Sequence, residues 1–476
     1  MPKGRLLAET ATLLQRAEWG MNAYHDGMLS YRPKAQRFPN LLAKVFHEKD
    51  IPIQVAVGNY DLGICGLDWV EELLVKYPSS ALVKLRNLGY GEGALYMVAS
   101  RSEVMPLEEM QAKRDIMRLA SEYPNLAESF ALKNRLRRFS IFPLWGAAEV
   151  YPPESADLAL ISGRTDEEIF NHDLVPISNI LGFSACLIAN KSSWERKDLS
   201  AILASIDSIL TPWLVERKRK DERRSSSVNT AGTTVVTSEY HPEEMAEDAV
   251  RLALPDGHQQ LPTVQLLNKA GIQISDYPSA VGNRRPTTSL TGVTIKAIRP
   301  QDMPLQVANG NFDLAITGKD WLMEHLYQFP SSPVTELLDL KFGRVKIVAV
   351  VSKDLPVTDV YGLKQLCVER LVPIRVASEY VNIGDKYARD NHLGMYRVIP
   401  TWGASEAFLP EDADLLIENT ETGRTIARHN LKIIDTLFVS TACLIGNKDS
   451  ISSPAKGERI KSITEILRAA VGERKN

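Results

Sequence analysis

The residues best suited to chemistry lie in "DLLIENTETGRTIARHN", Asp414 to Asn430, which reads as an apolar strand, a Thr/Gly turn and the start of a helix. A helix N-terminus carries unpaired N–H groups and the positive end of the helix dipole, so it favours a phosphate. Gly423 lets the backbone approach such an anion, and the hydroxyls of Thr420, Thr422 and Thr425 can donate to it. Arg424 opens the helix beside them. The carboxylates of Glu418 and Glu421, just upstream, suit the vicinal hydroxyls of a sugar or a Mg²⁺ ion better than the phosphate itself. The same residue types also make a plain capped strand-to-helix turn, so context has to decide between the two readings.

That context is a duplication. "HEKDIPIQVAVGNYDLGICGLDW" (His47 to Trp69) and "RPQDMPLQVANGNFDLAITGKDW" (Arg299 to Trp321) share 13 of 23 residues at a constant offset. "RLASEYPNL", "PLWGAAEVYPPESADL" and "SACLIANKSS" of the first half recur as "RVASEYVNI", "PTWGASEAFLPEDADL" and "TACLIGNKDS". Two long copies are a tandem duplication of a whole domain rather than a solenoid. We place the first repeat at 1–220, a polar linker at 221–246 and the second repeat at 247–476. The basic run at the start of the linker reads as a solvated helix end.

Within each copy, short apolar strands such as "DLAIT" and "DLLIE" alternate with amphipathic segments such as "GKDWLMEHL". These are the βα units that bring the turn to the carboxyl end of a strand, in a largely parallel sheet. Each copy is long enough for two α/β lobes with a ligand cleft between them. Composition narrows the function. The chain is 44% hydrophobic with a formal net charge of −3, which excludes a dedicated nucleic-acid binder. No apolar run approaches the ~20 residues of a membrane span, no signal peptide is evident, and a cytoplasmic protein is expected. The four cysteines are far apart and show no metal spacing, so they read as reduced core residues.

Together, "PKGRL" (Pro2 to Leu6), "RPQDMP", "DLAITGKD", "ASEY", "WGASEAFLPEDADLLIENTETGRT" and "TACLIGNK" resemble the ATP phosphoribosyltransferases, which open histidine biosynthesis. The resemblance covers nearly all of both copies and implies a tandem pair of short-form cores. Each would be a two-lobed α/β unit like the type II periplasmic binding proteins. It also implies attack of the adenine N1 of ATP on the anomeric carbon of phosphoribosyl pyrophosphate, with release of pyrophosphate and Mg²⁺ as cofactor. By residue match, Glu418 to Thr425 (Glu418, Thr420, Glu421, Thr422, Gly423, Arg424, Thr425) would bind phosphoribosyl pyrophosphate, with Glu418 standing where the family usually has Asp. Gly318, Lys319 and Asp320 would lie against ATP, with Asp320 as a plain helix cap and Asp313 as a turn-closing residue in the alternative. Arg299, Lys3 and Arg5 would meet the polyphosphates. A homo-oligomer or a regulatory subunit is a possible partner within this family.

Neither copy is complete. The first carries Asp166, Glu167 and Glu168 at its turn, which stabilise a helix N-terminus and repel a phosphate, and has His47 in place of Arg299. Two alignments stay open, one setting Asp166 against Gly423 and one setting Gly163 against it. The second copy has Asp256 and His258 where the first has Lys3 and Arg5. The strand expected before "PKGRL" is missing from the sequence, through a late start or because it is dispensable. Two readings follow: an enzyme whose repeats complete one another, with Arg32 ("SYRPK") or its counterpart Arg284 or Arg285 ("GNRRP") reaching the other repeat's cleft, or a weak homologue that senses nucleotide or histidine.

Overall fold

A computed structural model describes residues 1–28, 30–163, 173–210, 248–279, 282–369 and 372–472. The expected linker and the acids Asp166, Glu167 and Glu168 lie outside these residues.

Each repeat folds into an N-lobe and a C-lobe. In the second repeat the N-lobe sheet has the order Val293–Ile298, Val250–Pro255, Leu314–Gly318, Ala442–Asn447, Val334–Asp339. The C-lobe sheet has the order Tyr396–Pro400, Ile374–Ser378, Leu415–Thr420, Val345–Ser352, Leu431–Ser440. One strand of each sheet, Ala442–Asn447 or Val345–Ser352, runs against both its neighbours; the others are parallel. The reversed strand is the one that enters from the other lobe, so the two crossings between lobes explain the mixed pairing. Ala442–Asn447 is buried at every position, which explains its unbroken apolar reading. This is the two-lobed, periplasmic-binding-protein-like architecture expected from the sequence, built twice.

The first repeat's C-lobe has the same strand order, Phe139–Pro143, Met117–Ser121, Leu158–Gly163, Gly93–Ser100, Leu174–Phe183. Its N-lobe differs: Leu62–Gly66, Ala185–Asn190 and Leu82–Asn87 form one sheet, while Pro2–Lys3 pairs separately with Phe46–His47. In the second repeat Leu252 and Ala253 join the corresponding strands by pairing with Leu314 and Ala315. The equivalence of the strand starts is fixed independently. The Tyr24 hydroxyl donates to the Pro2 carbonyl and the Tyr277 hydroxyl to the Pro255 carbonyl, each at 2.6 Å, which places Asp256 at the position of Lys3.

The repeats cross. One apolar core joins the first C-lobe (Val98, Tyr151, Leu174) to the second N-lobe (Ile298, Phe312, Cys443). Another joins the first N-lobe (Phe46, Ile51, Cys186) to the second C-lobe (Val350, Phe408, Ile426). The free cysteines Cys65, Cys186 and Cys443 are core residues, as expected. Polar clasps flank both cores. Asp302 accepts from the Trp145 N–H at 2.9 Å, and Lys44 donates to Asp412 at 2.6 Å and Glu411 at 2.8 Å.

Arg32 does cross to the other repeat, but it is a fastener there. It donates to Glu411 at 2.7 Å and to the carbonyls of Ala407 and Leu409. Its counterpart is Arg285, which donates to Glu154 at 2.7 Å and to the carbonyls of Val150 and Pro152. Both guanidinium groups are held by the chain itself across the repeats.

Candidate functional site

The strand Leu415–Thr420 ends in an open turn. Gly423 has φ 74°, a left-handed conformation that glycine adopts without strain, and starts the short helix Arg424–Arg428. The Gly423 N–H donates to the Thr420 hydroxyl at 2.9 Å, so Thr420 closes the turn as an acceptor. Glu421, Thr422, Arg424 and Thr425 are exposed, and only Ile426 of the helix is buried, against the crossed core.

Behind the turn lies a carboxyl cluster. Glu418 is bonded to the Ser405 hydroxyl and accepts from the Asn419 N–H at 3.0 Å. Burial, then the facing Glu379 and Glu406, push its carboxyl up to about 8. Glu379 is pushed up to about 7 by burial and Glu406, against the opposing pull of Lys3. Lys3, from the first repeat, thus acts on this cluster through its charge. Its ammonium donates to the Tyr31 hydroxyl at 2.8 Å, and the Tyr31 ring stacks on His429 of the second repeat at 4.7 Å between centroids.

The second N-lobe supplies Gly318 to Asp320. Asp320 does not cap its helix: it accepts from the Tyr380 hydroxyl at 2.6 Å and the Ser440 hydroxyl at 2.8 Å. Tyr380 in turn accepts from the Asn419 amide at 2.9 Å, so Asp320 is tied to the strand that carries the turn. Gly318 has an ordinary φ, and its lack of a side chain matters for space: a Cβ there would lie 2.1 Å from the Asp320 carboxylate. Lys319 points elsewhere, to Glu336 at 3.0 Å. Asp313 is structural, accepting from the Arg251 N–H, the Ser450 hydroxyl and Lys456.

The mirror-image junction, first C-lobe against second N-lobe, is wired differently. The strand ladders pair Tyr96 with Ile161 and Ala94 with Gly163, as they pair Val348 with Glu418 and Lys346 with Thr420. The register settles the open alignment: Gly163 stands at Thr420, not at Gly423, and Ile161 replaces Glu418. Arg284, which occupies the place of Tyr31, bonds Asp256 at 2.7 Å and Glu149 at 2.9 Å.

Two basic residues expected to meet the polyphosphates are paired within the chain. Arg299 lies 3.3 Å from Asp256, beside Gly146 of the first repeat. Arg5 is held by Asp68 at 2.6 Å and Glu48 at 2.9 Å, inside the first N-lobe. Glu379, Glu406 and Tyr380 were missed as site residues. They stand in the repeated "ASEY" and "WGASEA", but nothing in their spacing shows that they converge on Glu418.

The sequence profile of the ATP phosphoribosyltransferase (HisG) family matches this chain twice, over residues 47–210 and 299–469. Among individual proteins, the chain is 32% identical over 233 residues to an ATP phosphoribosyltransferase of Chlorobaculum parvum, spanning 48% of this chain and 73% of the relative. It is 33% identical over 230 residues to that of Chlorobium phaeovibrioides, spanning 47% and 71%. A chain of the ATP phosphoribosyl transferase (HisG:HisZ) complex from Thermotoga maritima aligns over 47% of this chain and 99% of its own, at 22% identity and a TM-score of 0.38.

Proposed function

The chain belongs to the ATP phosphoribosyltransferase family, and we propose that it joins ATP to phosphoribosyl pyrophosphate at one composite site, built on the second repeat's C-lobe. The observation that carries this reading is the contact across the crossed repeats: Lys3 donates to Tyr31, whose ring stacks on His429 at the end of the helix that the open Gly423 turn begins.

In this reading the turn Thr420 to Thr425 takes the 5-phosphate of phosphoribosyl pyrophosphate, on backbone N–H groups and threonine hydroxyls. Glu418 and Glu421 take the ribose hydroxyls. A protonated Glu418 can donate as well as accept there. Lys3 and Arg424 offset the negative charge of the leaving pyrophosphate, and the Gly318–Asp320 segment holds the adenine nucleotide. The bond formed is adenine N1 to the anomeric carbon, and the bond broken joins that carbon to the pyrophosphate oxygen. With oxocarbenium character in the transition state, rate comes from alignment and charge stabilisation rather than from a strong base. Among the described residues no group of three His, Cys, Asp or Glu is arranged to hold a metal ion. A Mg²⁺ ion fits best as part of the polyphosphate substrates, with Glu421 the exposed carboxylate nearest the turn in sequence. No helix among the described residues is long and apolar enough to cross a membrane.

Gly423→Asp tests the reading. It sets an acid at the head of the turn and strains the backbone, while a Cβ there meets only Ile433 at 3.8 Å, so the fold is retained. Loss of pyrophosphate release with cooperative unfolding at a slightly lowered midpoint is expected; near-normal turnover would overturn the site.

A further inference from the structure

The two lobe junctions were copies of one another, and three facing positions have since diverged together. Around the intact turn they are Lys3, Tyr31 and His47; at the other junction their places hold Asp256, Arg284 and Arg299. The second set is closed on itself. Asp256 takes Arg284 and Arg299, and Arg284 also takes Glu149, so both of these arginines are paired within the chain.

The first set is arranged otherwise. Lys3 is described with no carboxylate as an ion-pair partner; its ammonium donates to a neutral acceptor, the Tyr31 hydroxyl at 2.8 Å, and lies 5.0 Å from the Tyr31 ring centroid. The Tyr31 ring is stacked on His429 with 8° between planes. His429 ends the helix that Gly423 begins. Tyr31 therefore touches both the phosphate-turn helix of one repeat and the lysine of the other. An arginine at Tyr31 would repel Lys3, and an acid would neutralise it. A phenol does neither: it holds the ammonium in place and leaves the charge available.

We propose that Tyr31 is a positioning residue, which registers Lys3 of the first repeat on the phosphate-turn helix of the second. This rests on the composite site proposed above. It predicts that Tyr31 acts on the diphosphate-bearing substrate alone, through Lys3.

The experiment compares Tyr31→Phe, Tyr31→Ala, Lys3→Met and Tyr31→Phe/Lys3→Met in the full chain, with KM for each substrate and kcat measured separately. Tyr31→Phe keeps the stack and removes one hydrogen bond, so KM for phosphoribosyl pyrophosphate should rise about three- to tenfold. KM for ATP and the unfolding midpoint should stay unchanged. Tyr31→Ala should raise the former KM further. The double variant should be no worse than Lys3→Met, because the hydroxyl acts only through the lysine. Multiplying effects, or equal rises in both KM values, would overturn the proposal in favour of a merely structural tyrosine. If Gly423→Asp abolishes turnover and Lys3→Met raises KM for phosphoribosyl pyrophosphate while Tyr31→Phe is silent, the site stands and this inference fails. If Gly423→Asp is itself silent, the site is wrong.

Discussion

Glu418 is a glutamate in a place built to keep it protonated. It faces Glu379 and Glu406, and the groups that would stabilise its anion are the Ser405 hydroxyl and the Asn419 N–H. Lys3 acts more directly on Glu379. A carboxyl whose pKa is higher folded than unfolded binds its proton more tightly in the folded state. Stability from it is therefore present at low pH and is lost as pH rises from the ordinary carboxylate range through about 8 for Glu418 and about 7 for Glu379. The urea midpoint of the substrate-free protein should fall between pH 6 and pH 8.5, and Glu418→Gln should remove much of that fall. An equally steep fall in Glu418→Gln would show that the charge resides elsewhere. The comparison with Ile161 sharpens the point. The first repeat has an isoleucine at the same ladder position, so its junction lacks the carboxylate that we propose binds ribose.

At the scale of elements, the link between lobes is the run from Gly318 through Asp320 to Tyr380 and Asn419. Adding a methyl in Gly318→Ala forces the Asp320 carboxylate away from a Cβ that would sit at 2.1 Å, and so disturbs both its hydroxyl partners. Overpacking of this kind costs about 1–3 kcal/mol. We expect it to appear as a rise in KM for ATP of about tenfold, with KM for phosphoribosyl pyrophosphate changed little; the reverse pattern would show that the segment serves the other substrate. The sequence made this element legible, because glycine and aspartate recur at the same spacing as Gly66 and Asp68. It also made the Thr/Gly turn legible, because a strand, a glycine and a helix follow in order. Partners across the repeats were not legible. Arg32, Arg285 and Arg299 are all arginines that the sequence offers as candidates for the anion sites. Only the crossing of N-lobe over C-lobe shows that the first two grip Glu411 and Glu154 while the third lies against Gly146. Arg32→Ala should accordingly lower stability and leave KM for phosphoribosyl pyrophosphate near its original value.

The whole molecule is held by two crossed interfaces, and their differences predict which one fails first. Lys44 is 5% exposed and donates to Asp412, itself 3% exposed, as well as to Glu411. Its counterpart Lys296 donates to Glu154, which Arg285 also grips, and the position matching Asp412 is Ser155. Truncating Lys44 strands a buried carboxylate whose other described side-chain hydrogen bond is the one from the Tyr60 hydroxyl at 2.9 Å. Breaking a buried pair from one side costs about 3–5 kcal/mol, since the remaining charge is left in a medium that solvates it poorly. Truncating Lys296 strands nothing, because Glu154 keeps its arginine, and the cost should be nearer the ~1–3 kcal/mol of a lost charged hydrogen bond. Urea unfolding should therefore rank Lys44→Ala well below Lys296→Ala. The cause can be separated from simple loss of packing by Lys44→Met with Asp412→Leu, which removes both charges and keeps the volume. If the stranded charge is the cause, the double variant recovers most of the stability lost in Lys44→Ala. Activity should recover with it, since Lys44 lies two residues before Phe46, the strand partner of Pro2 beside Lys3. A double variant as unstable as Lys44→Ala would mean that the interface depends on the lysine stem and not on its charge.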